Sequence, residues 1–302
     1  MEVKKAVITA SGRAEMLYPT ADAFQRAMIP LVDIDGITKP IIQIIAEQAI
    51  DAGIGEINIV CGENDEQQYC QAFSALLAVK NEEQSVKLKK MLDVLTYTVQ
   101  TKPIGYSDAV YSAKDFVGDD PFLLLLSDHL YISNGKDKNC ATQIIELAIS
   151  ENCSVSAVNP TREHLVQHYG TLTGDYINAV DAFKVTKIIE KPSITTAELE
   201  LLTPGLRTGF YLCLFGMHVL TPNFFEILKY TKKDNNYITS ALQILANSSK
   251  YFAKNINGQR YNIGIKYGLL AAQLALSLNG TGRDEMLYLL SDTLIKDHER
   301  DA

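Results

Sequence analysis

ITASGRAEMLYPTADAFQRAMIPLVDIDG, residues 8–36, is the stretch that decides the fold. An apolar strand end runs into a loop, then meets a basic residue and a proline-closed apolar turn. The strand is Val3 to Ala10, where Val3, Val7, Ile8 and Thr9 are β-branched, and it breaks at Ser11-Gly12. A buried parallel strand hands over to a loop at its carboxyl end in this way. Open α/β sheets bind their ligands at that end. Gly12 would let backbone N–H groups approach phosphate oxygens, with Arg26 downstream as the cation that neutralises them. Alone, a Ser-Gly turn after a strand is usually just a turn, so the decision passes to the rest of the chain.

Outward from that loop, strand and helix patterns alternate for most of the length, the signature of a parallel sheet wrapped by helices. Lys39 to Ala52 carries an apolar helical face (Ile41, Ile42, Ile45, Ala46, Ala49, Ile50) and stops at Gly53. Strand-like INIVCG follows, residues 64–93 read as surface helices, and LTYTVQ returns to strand pattern. Ser107 is the expected cap of a helix DAVYSAKDFV. PFLLLLSD is wholly apolar until its closing carboxylate, as a central buried strand should be. CATQIIELAIS, CSVSAVN and TREHLVQ read as helix, strand and helix. GTLTGDYIN then predicts a hairpin turning at Thr173-Gly174-Asp175, with KVTKIIEKP as its returning strand. FYLCLFGMHVL is a further apolar strand before helical PNFFEILKY, and the leucine-rich end is helical. The predicted architecture is α/β, with a mixed, mainly parallel central sheet, flanking helices and a helical C-terminal extension. Residues 1–265 form the main domain, and 266–302 an extension packed on it or at a subunit contact.

With 302 residues, 47% hydrophobic and 21% charged, the chain can bury a large core. A net charge of -8 without any basic cluster argues against a nucleic-acid surface, although one local cation is enough for a free nucleotide. No apolar run reaches membrane-spanning length, and MEVKKAVITA leads into a strand instead of a cleavable signal. A cytoplasmic protein without membrane contact is expected. Cys61, Cys70, Cys140, Cys153 and Cys213 are scattered without C-x-x-C spacing, which predicts core thiols and no zinc site.

Several motifs now fall into one order: Gln100 to Val110 (QTKPIGYSDAV), Asp128 closing LLLLSDH, Tyr169-Gly170, Glu190-Lys191-Pro192, Leu214-Phe215-Gly216 and Tyr261 to Gly268 (YNIGIKYG). With the first loop they resemble the sugar-1-phosphate nucleotidyltransferases, and among these the bacterial glucose-1-phosphate uridylyltransferases, over nearly the whole chain. That family's first loop reads approximately A-A-G-x-G-T-R-x-x-P, then P-K-x-M-L-P-x-V-D. Gly12, Pro19, Met28, Pro30, Val32 and Asp33 match it. Ala14, Glu15, Met16, Gln25 and Arg26 stand where it has glycine, threonine, arginine, proline and lysine.

The resemblance implies a Rossmann-like nucleotidyltransferase fold and a set of roles. Ser11, Gly12, Gln100 and Gly105 would face the nucleotide; Gly170, Glu190 and Lys191 would take the sugar and its phosphate. Arg26 and Lys191 would be the catalytic cations. Asp128, with Asn262 where the family has a second aspartate, would hold Mg2+, while His129, a softer donor, is left out of the ligand set. Asn235 replaces a family glutamate near the sugar. The implied reaction joins UTP and glucose 1-phosphate into UDP-glucose and pyrophosphate. A homo-oligomer, or an assembly with an active paralogue, is expected. A second reading is a catalytically impaired paralogue that binds sugar nucleotide and serves as a regulatory or structural subunit. Met16 loses a cation, Glu15 adds an anion and Asn262 removes a metal carboxylate, each where transition-state charge is stabilised.

Overall fold

The computed structural model describes residues 1–12, 25–77, 82–101, 105–134, 138–231 and 237–298. In chain order the first elements are β1 (Lys5–Thr9), β2 (Pro30–Val32), β3 (Thr38–Pro40), α1 (Ile41–Asp51) and β4 (Glu56–Gly62). Next come α2 (Asp65–Leu77), α3 (Glu82–Val94), β5 (Leu95–Gln100), α4 (Tyr106–Ser112), α5 (Lys114–Val117), β6 (Phe122–Leu126) and β7 (His129–Ser133). The middle of the chain supplies α6 (Cys140–Glu151), β8 (Ser154–Arg162), β9 (Thr171–Ile177), β10 (Ala182–Ile189), α7 (Ile194–Glu200) and β11 (Phe210–Leu220). It ends with α8 (Asn223–Thr231), α9 (Ile238–Ser248), β12 (Tyr251–Asn255), β13 (Gly258–Asn262), α10 (Gly268–Asn279) and α11 (Arg283–His298).

One mixed sheet runs β5-β4-β1-β6-β11-β8-β12-β10-β9. From β5 through β6 every pairing is parallel, so these four strands end along the same edge. β11 is antiparallel to both β6 and β8, and β12 runs parallel to β8. Successive side chains of a strand point to opposite faces. Accordingly Ala6 and Ile8 join one core with α1 and α6, while Val7 joins the other with α4, α8 and α9. This two-sided burial explains why β1 and β6 read as continuous apolar runs. A small ladder of β7 and β13 lies beside the sheet, placing Asn262 opposite His129.

Three expectations are corrected. Ser107 does not cap α4: the helix begins at Tyr106, two residues earlier than expected and behind Gly105, and the Ser107 hydroxyl is buried inside it without a partner among the described residues. The hairpin does not turn at Thr173-Gly174-Asp175, which lies within β9; the turn is at residues 178–181. TREHLVQ splits between the end of β8 and a short 3-10 turn, Glu163–His168. In addition, Lys39 and Pro40 belong to β3, and the helix they were expected to start begins two residues later, at Ile41. Ala14, Glu15, Met16 and Pro19 of the first loop, with Pro103 and Asn235, lie outside the described residues.

The β2–β3 hairpin is anchored through a buried ammonium. Lys39 is 5% exposed and reaches Asp33 and Asp35 at 2.7 Å and Glu47 of α1 at 2.8 Å. Burial alone would lower its pKa; the three carboxylates overcome this and raise it well above the usual lysine range. Removing one member of a buried ionic cluster leaves the others uncompensated, which costs about 3–5 kcal/mol. Lys39→Met should lower the unfolding free energy by that order in urea titration; a change within about 0.5 kcal/mol, typical of surface sites, would contradict a hub role.

Candidate active site

The carboxyl edge of β1, β4, β5 and β6 opens onto a cleft of about 1010 Å³ that continues to β11 and the β9–β10 end of the sheet. Ser11, Gly12, Arg26, Gln100, Gly105, Asp128, Gly170, Glu190, Lys191 and Asn262 all line it. The fold therefore brings together residues as far apart in sequence as 11, which follows β1, and 262, which the β7–β13 ladder carries to the same cleft.

At one end the last residue of β5, Gln100, is buried opposite Gly62 of β4. Its Oε1 accepts from Ser11 Oγ at 2.7 Å and its Nε2 donates to Asp108 at 2.6 Å. These two bonds fix which way the amide points and leave one donor hydrogen and one acceptor lone pair. Asp108 was not foreseen as part of this end. Its place in the first turn of α4 is set by the helix starting behind Gly105, and in sequence it looks like an ordinary first-turn acid.

The centre is charged. Asp128, just past β6, places Oδ1 2.6 Å from His129 Nδ1 and Oδ2 3.4 Å from Arg26 Nη1. Arg26 Nη2 donates to the Gly12 carbonyl at 3.3 Å, while its Nε is buried without a partner among the described residues. Burial would raise the Asp128 carboxyl, but His129 and Arg26 hold it well below the usual carboxylate range, so it is ionised. The Ile263 amide donates to the Asp128 carbonyl at 3.0 Å, and Asn262 Oδ1 accepts from Gly264 N at 2.8 Å. A Cβ on Gly264 would stand 2.9 Å from Arg26 Nη1 and 3.2 Å from Asn262 Oδ1, so the absent side chain is what lets these groups meet.

Among the described residues there is no group of three or more His, Cys, Asp or Glu able to hold a metal by themselves. Asp128 and Asn262 offer one carboxylate and one neutral oxygen. Mg2+ is commonly held by one or two carboxylates together with substrate phosphates, and this donor set fits a cation delivered on a phosphate chain.

The far end is built on β9, β10 and β11. Glu190 is shifted upward by burial, against the opposing pull of Thr239 and Lys191. Lys191 takes a left-handed φ of 44°, its amide donates to Tyr169 O at 3.2 Å, and its ammonium lies 5.4 Å from the centre of the Tyr237 ring. Arg260 is a third cleft-lining cation, unforeseen because a lone arginine in β13 carries no motif. Its guanidinium stacks 3.8 Å from the Tyr169 ring centre and donates to Leu214 O.

A family model described as nucleotidyl transferase matches residues 5–275. The chain belongs to the nucleotidyl transferase family. Among nucleotidyl transferases, the UTP–glucose-1-phosphate uridylyltransferase of Streptococcus pneumoniae serotype 4 is 31% identical over 289 residues, 92% of this chain and 91% of that protein. A solved apo UDP-glucose pyrophosphorylase superposes with a TM-score of 0.76 at 26% identity, covering 90% of this chain and 97% of that one. A UDP-glucose pyrophosphorylase solved with UDP-glucose gives a TM-score of 0.73 at 25% identity, covering 90% and 98%.

Gly170 carries the most direct test of the far wall. A Cβ there would lie 2.8 Å from Thr239 Cγ2, 2.9 Å from Leu214 Cδ1 and 3.2 Å from Glu190 Oε2. Overpacking of this kind costs about 1–3 kcal/mol. Gly170→Ala should lower the thermal midpoint and displace Glu190, with loss of affinity for any ligand at this end; an unshifted midpoint with unchanged ligand affinity would show the wall is looser than drawn.

Proposed function

We propose that the protein is a UTP–glucose-1-phosphate uridylyltransferase that makes UDP-glucose and pyrophosphate. The observation that carries this is one cleft holding, in order, the oriented Gln100 amide, the Asp128–Arg26 pair, and Glu190 with Lys191. Relatives named for this reaction, over nine-tenths of the chain, support the same substrates.

Gln100 offers its remaining donor and acceptor to the edge of uracil, with Ser11 and the backbone of Gly12 and Gly105 beside the nucleotide. At the far end the Glu190 carboxylate accepts from sugar hydroxyls, Gly170 leaves room for the ring, and Lys191 meets the sugar phosphate. An oxygen of that phosphate attacks the α-phosphorus of UTP in line; the new P–O bond forms as the bond to the β-phosphate oxygen breaks, and the electron pair leaves with pyrophosphate. Arg26, steered by Asp128 and the Gly12 carbonyl, meets charge on the triphosphate. Lys191 lowers the repulsion between the two anionic reactants. Asp128 and Asn262 would hold Mg2+ together with phosphate oxygens, and the ion would supply further charge neutralisation when bound. Catalysis of this type is mainly positioning and electrostatics.

Of the changes behind the impaired-paralogue reading, Asn262 lies in the described cleft, but an ionised carboxylate and three cations there favour an active site. The division at residue 265, a homo-oligomer and a cytoplasmic setting belong to the same proposal. Exposed Leu287, Tyr288, Leu294 and Ile295 of α11 support a subunit contact, and no helix among the described residues is long and apolar enough to cross a membrane.

Pyrophosphate release measured across nucleoside triphosphates with glucose 1-phosphate tests the proposal, and UTP is expected to be preferred. Asp128→Ala should lower turnover by at least about 10² to 10³, the scale of losing one transition-state stabiliser. Asn262→Asp should lower the Mg2+ concentration needed for half-maximal rate. Wild-type protein that releases no pyrophosphate with any triphosphate would refute the assignment, and full activity in Asp128→Ala would remove that residue from the site.

A further inference from the structure

Beneath the sugar end, the cleft reaches a histidine that the reaction above does not use. His218 lies on β11 just past Gly216, where that strand shifts register against β8. It is 2% exposed, yet it lines the cleft with Ala109, Leu214 and Ile238. Leu214 is also one of the side chains that close around Gly170, which ties this recess to the sugar end. The recess is therefore apolar at its sides and polar at its base.

Counting hydrogens fixes the state of the imidazole. Ser156 Oγ stands 2.5 Å from His218 Nδ1 and 2.5 Å from the Tyr251 hydroxyl. Tyr251 is buried, and Ser156 is its one hydrogen-bond partner among the described residues, so the phenol must donate to Ser156. Ser156 has a single proton, which then goes to His218 Nδ1. Nδ1 is therefore the acceptor, and the ring proton sits on Nε2. Burial pushes the His218 pKa down to about 4, so the ring is neutral. Nε2 has no partner among the described residues and is the polar atom that His218 can present to the cleft. A neutral donor does not select phosphate, which has Arg26 and Lys191 for that purpose; it suits an uncharged oxygen.

We propose that the Nε2–H of His218, fixed by the Tyr251–Ser156 relay behind it, donates to an uncharged oxygen of the hexosyl group and so helps select the sugar. Tyr251 and Ser156 are positioning residues in this scheme, and only His218 touches the ligand. The identity of the ligand rests on the uridylyltransferase assignment; the tautomer does not.

Calorimetry with UDP-glucose and with UDP separates this role from simple packing. Wild type should bind UDP-glucose more tightly than UDP. His218→Phe should weaken UDP-glucose about tenfold, the scale of one lost buried hydrogen bond, while UDP changes less than about twofold. Because a core substitution can disturb folding, the same point is read in unaltered protein from 15N-labelled histidine. His218 should show an unprotonated Nδ1 and a protonated Nε2, with the Nε2–H resonance moved by UDP-glucose and not by UDP. A protonated Nδ1, an Nε2–H signal indifferent to UDP-glucose, equal losses for both ligands, or wild type that prefers neither ligand would each overturn the proposal. Pyrophosphate release by wild type distinguishes the two failures. Release with no His218 effect sinks this inference alone, and a sugar-dependent His218 effect without release sinks the enzyme assignment alone.

Discussion

The Asp128 carboxylate, held on one oxygen by His129 and on the other by Arg26, is the interaction on which the cleft depends. A carboxylate this enclosed is costly to ionise unless charge and hydrogen bonds compensate it. Here they come from both sides of the cleft at once: His129 opens β7, and Arg26 follows the first loop. The compensation is mutual, because Arg26 is itself enclosed and would be left as an unpaired cation without Asp128. The backbone at Asp128 also carries the splice to β13 through Ile263, which brings Asn262 and Gly264 to the same point. One strand-end acid thus fixes the Arg26 guanidinium, the Asn262 side chain and the glycine between them.

Support for that arrangement is layered behind it. Lys39 gathers three carboxylates and ties the β2–β3 hairpin to α1, and the turn carrying Arg26 is held to the start of α1 by the Ile41 amide and Ile29 carbonyl at 3.1 Å. On the other side, the Tyr251–Ser156–His218 chain secures β12, β8 and β11 to one another beneath the cleft. Polar networks of this kind are stabilising only when every member is satisfied, and both run through fully engaged groups except where they face the cleft.

The parallel half of the fold was legible because its strands are buried on both faces. FLLLLSD, apolar up to a closing carboxylate, has no other comfortable home than a central strand, and the strand is central as expected, lying between β1 and β11. The candidate residues were legible through motifs at strand ends, and each described one lines the cleft. What failed was local turn chemistry in competition with packing. Gly174 reads as a turn residue, but it is a strand glycine at an irregular stretch of the β9–β10 pairing, where the Lys184 backbone comes too close for any side chain. Ser107 reads as a cap, but the helix starts behind Gly105 and swallows it. Asp108, Arg260 and His218 were not singled out because their partners, Gln100, Tyr169 and Ser156, meet them only through the tertiary fold.

The central claim is that one cleft binds a sugar nucleotide in a fixed direction, base toward Gln100 and hexose toward Glu190, with the phosphates between Arg26 and Lys191. A crystal structure of the complex with UDP-glucose measures this most directly. The account predicts uracil within hydrogen-bond distance of the Gln100 amide, the diphosphate between the two cations, and the hexose against Gly170 and Glu190. UDP-glucose bound in the reverse direction, or bound away from Asp128, would contradict it.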